Sequence, residues 1–169
     1  MHHRETPLIL TQKYLKKVLR YYPGKGVFVR KAQTSPRIKV GDIAGSKHGN
    51  GYVHISVGAK QYFAHRLAWL YMTGAWPKGQ IDHKNGVRSD NRWSNLRSVS
   101  KSENMQNLKR ARSDNLSTGV LGVYPHGRKF VTSICLNGKR IYLGLYGSVE
   151  EARSAYLKAK LELHPGFVP

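Results

Sequence analysis

Apolar and polar positions repeat with two different periods along this chain, and each period predicts a different kind of element. Near the N-terminus Leu15, Val18, Leu19 and Tyr22 recur at i, i+3, i+4 and i+7, the spacing of one helix face. Thr11 suits the N-cap of that helix, and Pro23-Gly24 stops it. Strands are expected at 26–30 and 52–57, with a Gly-rich loop through Asp42 between them. In the second strand Val53, Ile55 and Val57 alternate with Tyr52, His54 and Ser56, as a half-buried strand should. Gly58-Ala59-Lys60 then turns the chain into a strand at 61–64. The next helix, about 66–73, carries Leu67, Ala68, Leu70 and Tyr71, and Gly74 suits its C-terminal cap.

The middle of the chain reads strand, loop, strand, helix: 81–83, a polar loop at 84–94, 96–99, and a helix capped by Ser100. Ser100-Lys101-Ser102-Glu103 is a capping box, which gives Glu103 a structural role. It also puts Asn104 in the helix's first turn, where it can look back at the strand of Asp82 and His83. Lys109-Arg110-Ala111-Arg112-Ser113-Asp114-Asn115 leaves periodic structure and marks a boundary. Three segments follow: 1–108, a basic linker at 109–116, and 117–169. The last reads βββα, with strands at 121–124, 129–136 and 139–145. Pro125–Gly127 makes one turn, and Asn137-Gly138 is a strong hairpin signal. Phe130, Thr132, Ile134, Leu136, Ile141 and Leu143 should face the closing helix. Lys129, Val131, Ser133, Cys135, Arg140 and Tyr142 should face away. Ser148-Val149-Glu150-Glu151 caps that helix, whose inner face is Val149, Ala152, Ala155, Tyr156, Ala159 and Leu163. The expected class is α+β.

Charge changes the picture. The 169 residues hold 29 Lys plus Arg against 9 Asp plus Glu, a formal charge of +20. Such an excess repels itself and calls for a polyanionic partner, nucleic acid before an anionic membrane surface. No apolar run is long enough to span a bilayer. Met1-His2-His3-Arg4 is read as a frayed terminus and not as a signal peptide. The single cysteine, Cys135, rules out an internal disulfide and a multi-cysteine zinc site, and fits a reducing cytosol.

Against that basic background Asp82-His83 stands out. A carboxylate can bind a divalent cation, and a neutral imidazole beside it can take a proton from water near pH 7. Asp90-Asn91-Arg92, Asn95-Leu96-Arg97 and Glu103-Asn104 follow within the same short segment. Asp90 and Asn91 also suit turn hydrogen bonds. Arg97 suits either a phosphate contact or an acid partner, and His65 reads as a packed residue before a helix ahead of an active-site neighbour. Trp69, Trp76 and Trp93 read as packing, since no run of adjacent aromatics offers a base-stacking platform.

Through His65-Arg66-Leu67-Ala68-Trp69, Ile81-Asp82-His83, Asp90-Asn91-Arg92, Asn95-Leu96-Arg97 and Glu103-Asn104, residues 65–108 resemble the HNH, or ββα-metal, endonucleases of phage and intron origin. The resemblance implies a β-rich lead-in and a ββα-metal core at about 80–108. By it, His83 is the general base, and Asn95 holds the loop and orients His83. Asp82 and Asn104 bind the metal, and this oxygen-rich pair implies Mg²⁺ or Mn²⁺. Residues 117–164 resemble an AP2 (AP2/ERF) DNA-binding domain through Gly119-Val120, the run Asn137 to Gly144 and the Glu-Glu-Ala helix start. That likeness implies DNA contacts from Tyr124, Arg128, Lys129, Arg140 and Tyr142. Ser133 and Cys135 stand where plant members carry charged base-reading side chains, so phosphate binding is implied before base reading. Arg97 and the linker's Lys109, Arg110 and Arg112 complete the expected DNA contacts. The pairing of the two modules implies a homing-type endonuclease, phage-encoded and cytoplasmic in a bacterial host, acting as a monomer on double-stranded DNA. The alternative is a DNA-binding regulator with a dead nuclease site.

Overall fold

The computed structural model describes residues 10–109, 111 and 117–169. Contacts divide the chain into two compact units, Met1–Ser98 and Val99–Pro169. The division falls ahead of the 109–116 segment, so the helix that follows Ser100 groups with the C-terminal unit. Arg110 and Arg112 lie outside the described residues.

The first unit begins with helix α1 (Gln12–Val18), capped by Thr11, whose hydroxyl accepts the Tyr14 N–H. The helix is shorter than its apolar spacing predicts. Leu19–Tyr22 is strand β1, antiparallel to β2 (Val27–Arg30) in full register. Leu19 satisfies both periods, but Tyr21 belongs to the core only in a strand, and its ring packs on Phe28 at 4.7 Å between centroids. Burying Tyr21 and pairing four residues outweighs one more helical turn. The Gly-rich stretch supplies two unforeseen short strands. β3 (Ile43–Ala44) extends the first sheet, and β4 (Ser46–Lys47) opens a second with β5 (Val53–Val57) and β6 (Lys60–Phe63). Helix α2 (Ala64–Thr73) ends at Gly74, which adopts the left-handed conformation and donates its N–H to Leu70 O. Strands β7 (Gln80–His83) and β8 (Leu96–Val99) form a two-stranded sheet. Ile81 and Leu96 are buried with Leu15, Leu19, Phe28, Ile55, Leu67 and Leu70, so the strands that frame the 84–95 loop are pinned to one apolar core.

The second unit holds α3 (Lys101–Gln106), a sheet ordered β11-β10-β9, and α4 (Val149–Leu163). The expected capping boxes are both present, at Ser100/Glu103 and Ser148/Glu151. β10 (Lys129–Leu136) and β11 (Lys139–Tyr146) match expectation closely, and Asn137 and Gly138 turn with φ of 51° and 79°. The first strand is displaced by two residues: β9 is Val123–His126, not 121–124. Gly122 has φ +74° and lies against Tyr156, and a Cβ there would stand 2.8 Å from Ser133 O, so this position turns instead of extending. Pro125 is tolerated because β9 is an edge strand. The ladder to β11 shifts register between Thr132 and Ser133, where Leu143 is left without a partner, and Ser133 is buried although it was expected to be open. Ile134, Tyr156 and Ala159 form this unit's buried cluster. Among the described residues no helix is long and apolar enough to cross a membrane.

Candidate active site

Asp82 and His83 are consecutive on β7, and both are buried, at 7% and 4% exposure. A carboxylate in that position needs a partner. Arg97, on the paired strand β8, supplies one: its Nε and Nη2 donate to Asp82 Oδ2 at 2.9 and 2.8 Å. Arg97 thus pairs with an acid, one of the two roles open to it.

His83 Nε2 lies 3.1 Å from Asn91 Oδ1. An amide oxygen can only accept, so Nε2 carries the proton and the lone pair falls on Nδ1. Asn91 is itself fixed from both ends. Its Nδ2 donates to Ser89 O, and its carbonyl accepts the Tyr21 hydroxyl from β1. Burial lowers the His83 pKa; the Asn91 bond and the Asp82 and Asp90 carboxylates oppose that shift, and Arg88 adds to it. The imidazole is therefore neutral at pH 7, the form a general base requires.

Asn95 closes the loop. Its Oδ1 accepts Asn85 N–H at 3.0 Å, and its Nδ2 donates to Asn85 Oδ1 at 3.0 Å and Asp90 O at 2.7 Å. Asp90 accepts from Asn85 Nδ2 and pairs with Arg92 at 2.6 Å; the Arg92 hydrogen bond holds the Asp90 carboxyl down at about 2. Trp93 N–H donates to Pro23 O, tying the loop's end to the turn after β1. Asn95 thus bonds within the loop, whereas the Asn91 side chain is hydrogen-bonded to His83. Sequence reading gave Asn91 only a turn role, because its second anchor, Tyr21, is 70 residues away.

Two aromatic rings flank His83: His65, which the sequence offered as a packed residue or an active-site neighbour, and Tyr52, which it did not offer. His65, at the start of α2, stands edge-on to His83 with ring centroids 5.2 Å apart, and Tyr52 lies 6.0 Å from the same ring. His65 Nδ1 is sealed from solvent with no hydrogen-bond partner, and burial, helped by His83 and Arg66, lowers its pKa to about 3. Arg88 sits over the Tyr52 ring at 5.1 Å.

Residues 62–106 match the HNH endonuclease family model. The matched stretch begins at the end of β6 and takes in α2, Asp82, His83, the loop and Asn104. A solved structure titled "DNA binding and cleavage by the HNH homing endonuclease I-HmuI" is similar with a TM-score of 0.41 and 20% identity, over 80% of this chain and 75% of that chain. No curated protein matches the chain.

Within the HNH-like stretch the first unit gathers Asp82, His83, Asn95 and Arg97. Asn104 is half-buried on α3 in the second unit. Among the described residues no three His, Cys, Asp or Glu side chains cluster as a metal cage. Asp82, a buried carboxylate, and Asn104, a side-chain amide, are each hard oxygen donors, the chemistry that suits an ion that keeps waters and binds phosphate oxygens.

The other expected contacts fall in the second unit. Tyr124 and Tyr142 are exposed on the sheet face opposite α4, with Arg128, Lys129 and Arg140 also exposed. Arg140 stands over the Tyr124 ring at 5.8 Å. Lys109 is half-buried, its ammonium 4.9 Å from the Phe167 ring centre.

Proposed function

We propose that this chain is a metal-dependent DNA endonuclease of the HNH homing type. The observation that carries the reading is the fixed pair on β7: a buried imidazole set by Asn91 beside a carboxylate held by Arg97, inside the stretch that matches the HNH endonuclease model. His83 Nδ1 takes a proton from the attacking water as its oxygen bonds to phosphorus and the bond to the leaving 3′ oxygen breaks. Asp82 and Asn104 hold a divalent ion, Mg²⁺ or Mn²⁺, which when bound stabilises charge on the scissile phosphate and the leaving oxygen. Asn95 keeps the loop closed, and Asn91 keeps His83 in one tautomer. Arg97 orients Asp82 through its paired Nε and Nη2 hydrogen bonds.

The second unit supplies an AP2-like DNA surface. Its sheet carries Lys129 and Arg140 with Tyr124 and Tyr142, Arg128 stands in the turn between β9 and β10, and no acidic residue of β9, β10 or β11 opposes them. Those cations suit phosphates, whose contacts dominate affinity and make it salt-dependent.

Supercoiled plasmid with the protein and Mg²⁺, resolved into nicked and linear forms, tests the reading. Parent protein should convert plasmid in Mg²⁺ and not in EDTA, and Asp82→Ala should bind DNA without converting it. Binding by the parent with plasmid left intact in both Mg²⁺ and Mn²⁺ would instead identify a DNA-binding regulator.

A further inference from the structure

Helix α3 is six residues long and buries none of them, which is too little to hold a helix in water. Its N-terminus is closed by the Ser100/Glu103 capping box. Its other end is held by the last residues of the chain. Gly166 N–H donates to Gln106 Oε1 at 2.9 Å, and Val168 N–H donates to Asn107 Oδ1 at 3.1 Å. Gly166 lies directly on the helix backbone: a Cβ there would stand 2.6 Å from Glu103 O and 2.8 Å from Glu103 Cα. Phe167 has ammonium groups from two directions, Lys109 at 4.9 Å and Lys160 at 4.6 Å from its ring centre. Lys160, buried on α4, also donates to the carbonyl of Leu108. The tail is in turn fixed to its own unit. Phe167 N–H donates to His164 O, and the His164 ring nitrogen Nε2 donates to Cys135 O of β10 at 2.9 Å.

We propose that residues 164–168 are a strap that positions α3, and through it Asn104. This rests on the assignment of Asn104 as a metal ligand. A ligand on a helix of one and a half turns is only as well placed as that helix, and a misplacement of about 1 Å can cost a reaction about 10²-fold. The strap meets α3 by backbone donors and by the absence of a side chain at residue 166, which fixes the helix's height and rotation more tightly than apolar contact would.

The test compares full-length parent with Gly166→Val, Phe167→Ala, Gln106→Ala and Asn104→Ala. Three quantities are read: amide hydrogen exchange across residues 101–108, DNA affinity in EDTA, and plasmid nicking against Mg²⁺ concentration. Gly166→Val and Phe167→Ala should speed exchange in α3 by about tenfold or more, with the β10 and β11 amides unchanged as the sign that the unit is folded. Nicking should fall by about 10²-fold while DNA affinity stays within about twofold. Gln106→Ala, which deletes one hydrogen bond and leaves the tail's packing intact, should fall between them and the parent. The strap is overturned if α3 exchange is unchanged in all three strap variants, or if exchange rises and nicking holds while Asn104→Ala abolishes it. If Asn104→Ala nicks like the parent, the metal-ligand assignment fails, and the exchange measurement alone decides whether the tail holds α3.

Discussion

The loop between β7 and β8 and the open face of the β9–β10–β11 sheet are both rich in polar side chains, and they use them in opposite ways. In the loop, Asn85, Asp90, Asn91, Arg92 and Asn95 turn toward one another and the backbone, as Asp82 and Arg97 do on the flanking strands, and Asn91 and Asn95 are buried. On the sheet and its β9–β10 turn, Arg128, Lys129, Arg140 and Tyr142 are exposed. The contrast teaches what each surface can do. Chemistry needs groups held in one geometry and one protonation state before the substrate arrives. Attraction to a phosphate backbone needs exposed charge and tolerates mobility.

Removing the base should have the largest effect. His83→Ala should slow cleavage by about 10²–10⁴-fold, the usual worth of a positioned general base, with DNA affinity in EDTA unchanged. Single-turnover rates with saturating protein decide it; a rate within about twofold of the parent removes His83 from the chemistry.

Next comes the residue that sets the imidazole. Asn91→Ala should reduce kcat by about 10–100-fold and leave KM for DNA alone, as loss of an orienting hydrogen bond does. A rise in KM with kcat unchanged would place Asn91 on the binding side instead.

The third prediction is a stability measurement. An unfolded histidine binds its proton near pH 6.5, whereas buried His65 binds one only at about 3. Protons therefore favour the unfolded chain as pH falls through that window, and the first unit should lose about 2 kcal/mol from this residue between pH 6.5 and 5. Urea unfolding of the parent and His65→Phe at pH 7.5 and 5 should show a smaller acid penalty in the variant. Equal penalties would mean His65 does not carry this linkage.

The smallest effect belongs to the sheet. Arg140→Ala should weaken DNA binding by less than about tenfold and reduce the log–log salt slope by about 0.9, with nicking at saturating protein unchanged. An unchanged slope would show that Arg140 meets no phosphate.

How much of this the sequence carried depends on range. Local signals were legible: both capping boxes, the Asn137-Gly138 turn, the limits of β8 and β10, and the Asp82-His83 pair each depend on residues within a few positions of one another. Distant contacts were not. The end of α1 is decided by Tyr21 entering a core built from residues beyond it, and β9 is shifted because Gly122 meets Tyr156. The site divides along the same line. Asp82, His83 and Asn95 were readable as types at a spacing, whereas the part played by Asn91 depends on Tyr21, and that of His65 on α2 packing beside β7.

Cys135 has a use of another kind. It is the chain's only cysteine, it is exposed, and it pairs with Arg140 across the open face of the sheet. The protein thus comes with one addressable thiol on the surface proposed to meet DNA. A cleaving or photoreactive group attached there, with no mutation, would scar the duplex wherever that face rests and so give position and polarity at base resolution.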